Sequence, residues 1–177
     1  MEQRITLLFG KTGTGKTSLA KKLVQNEQRL VVVDALAEYE GLCIENFEDF
    51  VEYFREFHPD SFHLVCRFSS DLDLEYLFKV LFEIGNITLV VEEAEIYISP
   101  YAKSGSFLRL VRYGRHKNIN IIGVARRATE LSMDFRAQTN RIISFTQTEP
   151  RDIQALEKFG FYNLDKLPLY EFTEVTL

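Results

Sequence analysis

The stretch Gly10-Lys11-Thr12-Gly13-Thr14-Gly15-Lys16-Thr17 matches the pattern G-x-x-x-x-G-K-[ST] at every fixed position. An apolar run, Ile5–Phe9, precedes it, and a segment of helical period, Ser18–Val24, follows it. A strand before and a helix after are the context in which this pattern forms a phosphate-binding loop, or P-loop. The glycines let the backbone curl so that successive N–H groups point at phosphate oxygens, and the helix adds the positive end of its dipole. The stretch therefore predicts a nucleotide site.

Two side chains of this loop have specific expected tasks. Lys16 is placed to reach the β- and γ-phosphates, and Thr17 is placed to offer its hydroxyl to Mg²⁺. ATP and Mg²⁺ are therefore the expected ligands. The expected nucleotide-binding residues are Gly10, Lys11, Thr12, Gly13, Thr14, Gly15, Lys16, Thr17 and Ser18.

Outward from the loop, short apolar runs alternate with longer segments of helical period. The predicted strands are Ile5–Phe9, Leu30–Val33, Phe62–Cys66, Ile87–Val91, Ile119–Val124 and Ile142–Phe145, with an edge strand over Leu169–Val175. The predicted helices are Ser18–Val24, residues 47–57, Leu72–Ile84 capped by Asp71, a basic helix from Phe107 to near His116, and one from Pro150 to Gly160. Strands interleaved with helices favour a three-layer α/β fold with a mostly parallel central sheet flanked by helices. We expect one domain over residues 1–177.

Composition excludes several classes of protein. Among 177 residues, 21 are Lys or Arg and 26 are Asp or Glu, so the formal net charge is −5. This excludes a generally basic nucleic-acid coat, although it leaves room for a local basic stripe. Cys43 and Cys66 lack zinc-finger spacing and suit a reducing compartment. Because Met1–Gln3 do not resemble the start of a signal peptide and no apolar run approaches about 20 residues, we expect no stable membrane insertion.

Two carboxylates, Glu92 and Glu93, follow the apolar run Ile87–Val91. A P-loop NTPase needs an acidic group at such a strand end to hold the metal, and hydrolysis needs a base that orients the attacking water. Adjacent residues of a strand point in different directions, so we assign Glu92, with Thr17, to Mg²⁺ and Glu93 to the water. The alternative is a pair of solvated glutamates on a loop. A glutamate base favours a hydrolase over a small-molecule kinase, because a kinase must avoid activating water.

Basic residues cluster after position 108. Arg109, Arg112 and Arg115 are spaced by three, so on a helix they form one basic stripe. The stripe suits an arginine finger acting on a neighbour's γ-phosphate, phosphate-backbone contacts to nucleic acid, or simply a solvated face. Arg126 follows the predicted strand Ile119–Val124, where side chains of α/β sheets face the ligand crevice, and is a candidate γ-phosphate sensor.

Taken together, these residues resemble the HerA/FtsK superfamily of P-loop ATPases, the ring-forming DNA pumps. Val33-Asp34-Ala35-Leu36-Ala37-Glu38-Tyr39 is similar to the family's strand ending in D-x-x-G-E-Y, with Ala37 in place of Gly. Val90-Val91-Glu92-Glu93-Ala94 is similar to its h-h-D-E-A element, with Glu92 in place of Asp. The stretch 112–127 resembles the family's basic helix, strand and A-T-Q-R turn, and the stretch 136–145 resembles the segment that follows.

The resemblance implies a fold and a set of roles. The implied fold is the RecA/ASCE-like, three-layer form of the P-loop NTPases. Arg115 falls at the position of the trans-acting arginine finger, and Arg126 falls where the family has its sensor Gln. The expected catalytic residues are Lys16, Glu92, Glu93, Arg115 and Arg126. In length the chain is close to a bare motor domain, like the genome-packaging ATPases of tailless, internal-membrane viruses.

The expected function follows from this resemblance. It is an ATP-hydrolysing DNA translocase, encoded by a virus or phage, that packages a genome as a homo-oligomeric ring, hexameric or pentameric, around double-stranded DNA. Capsid or vertex proteins are further expected partners, and the host cytoplasm or the virion is the expected location. Two alternatives stay open: an accessory NTPase for protein or virion assembly, and a small-molecule or nucleotide kinase. The acidic net charge favours the accessory NTPase, and the Glu92-Glu93 pair disfavours the kinase.

Overall fold

The fold is built on a central sheet of eight strands. The computed structural model describes residues 4–101 and 104–177. The prediction for Met1–Gln3 lies outside these residues. The strands are β1 (Ile5–Phe9), β2 (Arg29–Val33), β3 (Leu42–Ile44), β4 (Phe62–Cys66), β5 (Ile87–Val91), β6 (Ile119–Ala125), β7 (Arg141–Phe145) and β8 (Phe172–Thr176). Their order across the sheet is β3-β4-β2-β5-β6-β1-β7-β8. Only the β7–β8 pair is antiparallel within the described sheet. The predicted, mostly parallel sheet is confirmed.

Helices cover both faces of the sheet. They are α1 (Lys16–Val24), α2 (Phe47–Phe57), α3 (Asp71–Ile84), α4 (Gly105–Tyr113), α5 (Met133–Ala137) and α6 (Pro150–Glu157). On one face, α1 packs through Ala20 and Val24, and the remaining helices pack on the other face. Strand β5 is buried along its whole length because both of its faces are covered. The result is the predicted three-layer α/β fold.

A short strand and a short α-helix were not predicted. Strand β3 has three residues at the edge of the sheet, and helix α5 has five residues. Neither is long enough to show a hydrophobic period in the sequence. The structure also corrects the predicted cap of α3. Ser70, not Asp71, is the N-cap, because its hydroxyl accepts a hydrogen bond from the Asp73 N–H at 3.3 Å.

The boundaries of three further helices differ from the prediction. Helix α1 begins at Lys16, two residues before the predicted start at Ser18. Helix α4 begins at Gly105, after the N-cap Ser104, and ends at Tyr113, from where a 3₁₀ turn continues over Gly114–Lys117. Helix α6 ends at Glu157, before the predicted stop at Gly160. None of the helices within residues 4–101 and 104–177 combines the length and the apolar character needed to cross a bilayer.

Helix α6 is attached to the turn after β6 through one buried carboxylate. Asp152 is fully buried, and its side chain accepts hydrogen bonds from the Thr129 N–H at 2.9 Å, the Thr129 hydroxyl at 2.7 Å and Arg127 Nε at 2.8 Å. Burial acts to raise the pKa of the Asp152 carboxyl, but the bonds from Thr129 and Arg127 outweigh it, and the pKa lies below its ordinary value. Folding therefore favours the ionised form of the Asp152 carboxyl.

Replacing Asp152 by alanine is expected to lower the free energy of unfolding by about 2–3 kcal/mol, because the substitution leaves the Thr129 N–H and the Arg127 guanidinium without their buried acceptor. Urea unfolding at neutral pH measures the change. Asp165→Ala, at an exposed position, is the matched control. A loss of stability no larger than that of the control would contradict this account of α6.

Candidate active site

The P-loop, residues 10–17, lies between the carboxyl end of β1 and the start of α1. Gly10 has a φ of +156°, and a Cβ added there would lie 2.7 Å from the Phe145 Cβ and 2.8 Å from the Thr14 hydroxyl. Gly15 has a φ of +101° immediately before the first turn of α1, a backbone conformation that L side chains rarely adopt. Since Gly15 has no side chain to cap the helix, the first amides of α1 stay available to an anion.

The lysine of the P-loop is hydrogen-bonded to carbonyls of the same loop. Lys16 is buried, and its Nζ donates hydrogen bonds to the carbonyls of Gly10 at 2.8 Å and of Lys11 at 3.0 Å. Burial lowers the pKa of the Lys16 ammonium, while the carboxylates of Glu93 and Glu92 act in the opposite direction. The sequence-predicted lysine and the two sequence-predicted glutamates therefore share one electrostatic site.

Glu92 lies beside Thr17 in this site. Its carboxylate is buried, accepts a hydrogen bond from the Tyr39 hydroxyl at 2.8 Å, and is hydrogen-bonded to the Thr17 side chain. Burial raises the pKa of Glu92 to about 7, against the hydrogen bonds from Tyr39 and Thr17.

A hydroxyl and a carboxylate are the hard oxygen donors that Mg²⁺ prefers, so this pair fits the expected metal. Within residues 4–101 and 104–177 there is no group of three or more His, Cys, Asp or Glu residues that could hold a metal ion. An ion held by Thr17 and Glu92 would therefore need phosphate or water oxygens as further ligands, which is how Mg²⁺ commonly binds.

The raised pKa of Glu92 predicts a pH-dependent cost in stability. Between pH 4.5 and about 7 the folded protein binds more protons at this carboxyl than the unfolded chain does, so the free energy of unfolding falls as the pH rises. Glu92→Gln removes the charge but keeps the shape. In EDTA we expect the variant to be more stable than the wild type by about 1–3 kcal/mol at pH 8 and nearly equal to it at pH 5.

Urea unfolding of both proteins at the two pH values measures this difference. Glu56→Gln, on an exposed part of α2, is the control for the loss of one negative charge. The prediction is wrong if Glu92→Gln gains no more stability at pH 8 than Glu56→Gln does.

Glu93 and Arg126, which come from the ends of β5 and β6, contact each other. Arg126 Nη2 lies 2.9 Å and Nε lies 3.1 Å from Glu93 Oε1. Glu93 adopts a φ of +50°, so its side chain leaves the strand end in a different direction from that of Glu92. The sequence assigned one of these residues to the attacking water and the other to the γ-phosphate; the structure places them in one ion pair.

Two residues of the site were missed by the sequence analysis. Glu95 accepts a hydrogen bond from the Arg126 N–H at 3.2 Å, and its buried Oε2 has no partner among the described residues. Burial, together with the adjacent Glu93 carboxylate, raises the pKa of Glu95. Tyr39 is the second, through its bond to Glu92. A third carboxylate two positions after Glu93 was a visible signal for Glu95. Tyr39 was quoted as the last residue of the D-x-x-G-E-Y-like stretch, but nothing in the sequence linked it to residue 92.

The predicted basic stripe is not one helical face. Arg109 pairs with Glu83 at 3.5 Å, and Arg112 pairs with Asp134 at 3.0 Å. Arg115 lies beyond the end of α4, in the 3₁₀ turn Gly114–Lys117, so the prediction that all three arginines share a helix is wrong. Because this turn precedes β6, Arg115 lies near the amino end of the strand, while the P-loop lies at the carboxyl edge of the sheet. No carboxylate of the described residues is within ion-pair distance of Arg115.

Solved structures match this fold. No protein-family model matches the sequence, and the comparison with curated proteins finds no match. The genome packaging NTPase B204 from Sulfolobus turreted icosahedral virus 2, in complex with sulfate, has a TM-score of 0.81 at 19% identity, over 99% of this chain and 92% of that chain. Its complex with AMPPCP has a TM-score of 0.79 at 20% identity, over 98% and 92%. VirB4 of Thermoanaerobacter pseudethanolicus has a TM-score of 0.63 at 12% identity, over 98% and 89%.

At these identities the comparisons establish the fold. The predicted α/β, three-layer fold is confirmed, and it is similar to the folds of a viral genome packaging NTPase and of VirB4. The match to B204 covers nearly the whole of both chains, and that protein was solved with an ATP analogue bound.

Proposed function

We propose that this chain is an ATP-hydrolysing motor that acts as a homo-oligomeric ring on double-stranded DNA, as a viral or phage genome-packaging ATPase. One observation carries the proposal: in a fold that matches a genome packaging NTPase over 99% of this chain, the P-loop and the carboxylates that follow β5 meet at one edge of the sheet. Residues 1–177 would then form a single motor domain. Fold likeness alone does not define an activity, so the proposed roles are assigned from the residues at this edge.

The proposed roles follow the geometry. Residues 10–18 bind the phosphates of ATP through the loop amides and the N-terminus of α1. Lys16 exchanges its bonds with the carbonyls of Gly10 and Lys11 for bonds to the β- and γ-phosphates. Thr17 and Glu92 hold Mg²⁺, which when bound neutralises charge on the β- and γ-phosphates. Glu93 orients the attacking water and accepts its proton.

In the proposed mechanism, the ion pair between Arg126 and Glu93 keeps the base from acting before the γ-phosphate is bound. While Glu93 Oε1 accepts two hydrogen bonds from Arg126, that oxygen is poorly available to a water molecule. A γ-phosphate competes for the guanidinium, because Arg binds phosphate as well as carboxylate. Transfer of Arg126 from Glu93 to the γ-phosphate therefore frees the base when the substrate is in place. Arg126 serves in this way as the γ-phosphate sensor, although it cannot position a water as an amide can.

Oligomerisation supplies the last proposed catalytic residue. Arg115 is exposed and lies toward the edge of the sheet opposite to its own P-loop, which suits a finger that enters a neighbouring subunit's site. A ring can also concentrate basic residues in its pore while the outside stays acidic, which reconciles DNA binding with a net charge of −5. Capsid or vertex proteins are the proposed docking partners, in the host cytoplasm or on the virion.

A second function is favoured by the charge distribution. Arg109 and Arg112 are both paired with carboxylates of the same chain, which leaves less free positive charge for DNA than the sequence predicted. This favours an accessory NTPase whose hydrolysis drives the assembly of proteins. A small-molecule kinase gains no such support from the structure.

ATP hydrolysis with and without double-stranded DNA tests the proposal. We expect the rate per subunit to rise with DNA and with protein concentration, and Lys16→Ala to provide the blank. Heparin, as a polyanion without base pairs, separates a response to DNA from a response to charge. Hydrolysis that DNA does not change would favour the accessory NTPase, and turnover that requires a small phosphate acceptor would favour the kinase.

A further inference from the structure

Tyr39 connects the loop after β2 to the metal-side carboxylate. Its side chain is 6% exposed, and its hydroxyl donates a hydrogen bond to Glu92 Oε1 at 2.8 Å. Glu92 is 5% exposed, so both partners are shielded from water. Hydrogen bonds to a buried charged group are among the stronger side-chain interactions in proteins.

The position of Tyr39 is fixed by three further contacts. Its backbone N–H donates to Asp34 Oδ2 at 2.9 Å, and its carbonyl accepts from Arg67 Nη2 at 2.6 Å. Arg67 also pairs with the fully buried Asp34 at 3.2 Å, so one ion pair clamps both ends of the turn. Lys21 Nζ lies 5.0 Å from the centroid of the Tyr39 ring. The phenol therefore has little freedom to leave Glu92.

The turn that carries Tyr39 contains one residue, Ala37, in an unfavourable backbone conformation. Ala37 has a φ of +56°, in the left-handed region, where a residue with a Cβ costs roughly 1–2 kcal/mol relative to the right-handed form. The hydrogen bonds from the Glu38 and Tyr39 N–H groups to Asp34 offset this cost. A turn that is tied down this firmly can orient a side chain at its end.

We propose that Tyr39 is a positioning residue for the divalent cation: its hydroxyl holds the Glu92 carboxylate beside the Thr17 hydroxyl, so that the two oxygen ligands are set before the metal and nucleotide arrive. The inference rests on the proposed function of Glu92 and Thr17 as metal ligands. It assigns Tyr39 no contact with the metal or the phosphates.

The alternative is that Tyr39 only fills space under the sheet, where its ring packs among buried apolar residues such as Leu30 and Val65. The two accounts differ in the effect of one oxygen atom. Tyr39→Phe keeps the ring and its packing but removes the donor to Glu92. If the hydroxyl positions the carboxylate, metal affinity falls; if the ring is all that matters, metal affinity stays.

The test uses Mn²⁺ as the probe, measured by electron paramagnetic resonance on the complex of the full chain with AMPPCP. We expect Tyr39→Phe to weaken Mn²⁺ binding about tenfold. AMPPCP affinity in EDTA should stay within twofold of the wild type, because Tyr39 does not touch the P-loop lysine. Tyr53→Phe, at a half-buried position on α2, is the matched control and should bind Mn²⁺ like the wild type.

A double variant sharpens the test. In the Glu92→Gln background, where the carboxylate is already gone, Tyr39→Phe should cause no further loss of Mn²⁺ affinity. Equal Mn²⁺ affinity in the wild type and Tyr39→Phe would overturn the positioning role, as would an equal loss of AMPPCP affinity with and without metal. If the wild type itself binds AMPPCP without any dependence on Mn²⁺, the proposed function of the site fails instead.

Discussion

Lys16→Ala is expected to abolish measurable ATP hydrolysis and to weaken ATP binding by about 100-fold or more. The Lys16 ammonium is the cation that the P-loop encloses, and it donates to two carbonyls of that loop. Bonds of this kind to phosphate are charge-assisted, and two of them account for a loss of about 3 kcal/mol or more in affinity. The substitution also removes the positive charge that, in the proposed mechanism, stabilises the β-phosphate of the leaving ADP.

Fluorescent-nucleotide titration and phosphate release measure the two effects separately. Lys22→Ala is the matched control, since Lys22 lies exposed on the same helix. A chemical-unfolding curve for Lys16→Ala checks that the P-loop survives, because the variant also leaves the Gly10 carbonyl without its donor. Retention of more than a tenth of wild-type hydrolysis would remove Lys16 from the proposed mechanism.

The strands show how much of the fold was predictable. The predicted bounds of β1, β4 and β5 agree with the structure residue for residue, because each is a short apolar run between clear turn signals. An edge strand was predicted over Leu169–Val175 and forms over Phe172–Thr176, since its alternating pattern fits a strand with one covered face. The position of the P-loop between a strand and a helix was predictable because its motif consists of consecutive residues.

The missed features share a physical cause: they depend on contacts between residues far apart in the sequence. Tyr39 bonds to Glu92 across 53 positions, and Arg126 pairs with Glu93 across 33. Hydrophobic period and local motifs carry no information about which side chains meet across a sheet. Arg115 was misplaced for a different reason. Its spacing from Arg112 is helical, but the chain changes to a 3₁₀ turn at Gly114, which periodicity does not detect.

The position of Arg115 decides which subunit it can serve. It precedes β6, whose seven residues run from the edge near Arg115 to the edge at which Phe9, just before the P-loop, pairs with Ala125. At about 3.3 Å per residue, this strand separates Arg115 from its own P-loop by roughly 20 Å, which is beyond the reach of one arginine side chain. A catalytic role for Arg115 in its own subunit is therefore disfavoured, whereas a role in a neighbouring subunit of a ring has no such obstacle.

Arg115→Ala is accordingly expected to lower the turnover number by about a thousandfold while leaving ATP affinity close to that of the wild type, because a finger acts on transition-state charge.

Mixing this variant with Lys16→Ala should restore activity. With random exchange of subunits, about a quarter of the interfaces regain both an intact P-loop and an intact finger, so the mixture should reach about a quarter of the wild-type rate. Arg109→Ala, at a position already paired with Glu83, is the matched control and should change turnover little. If mixed oligomers form but stay inactive, Arg115 does not act between subunits, and the ring mechanism loses the residue that couples one site to the next.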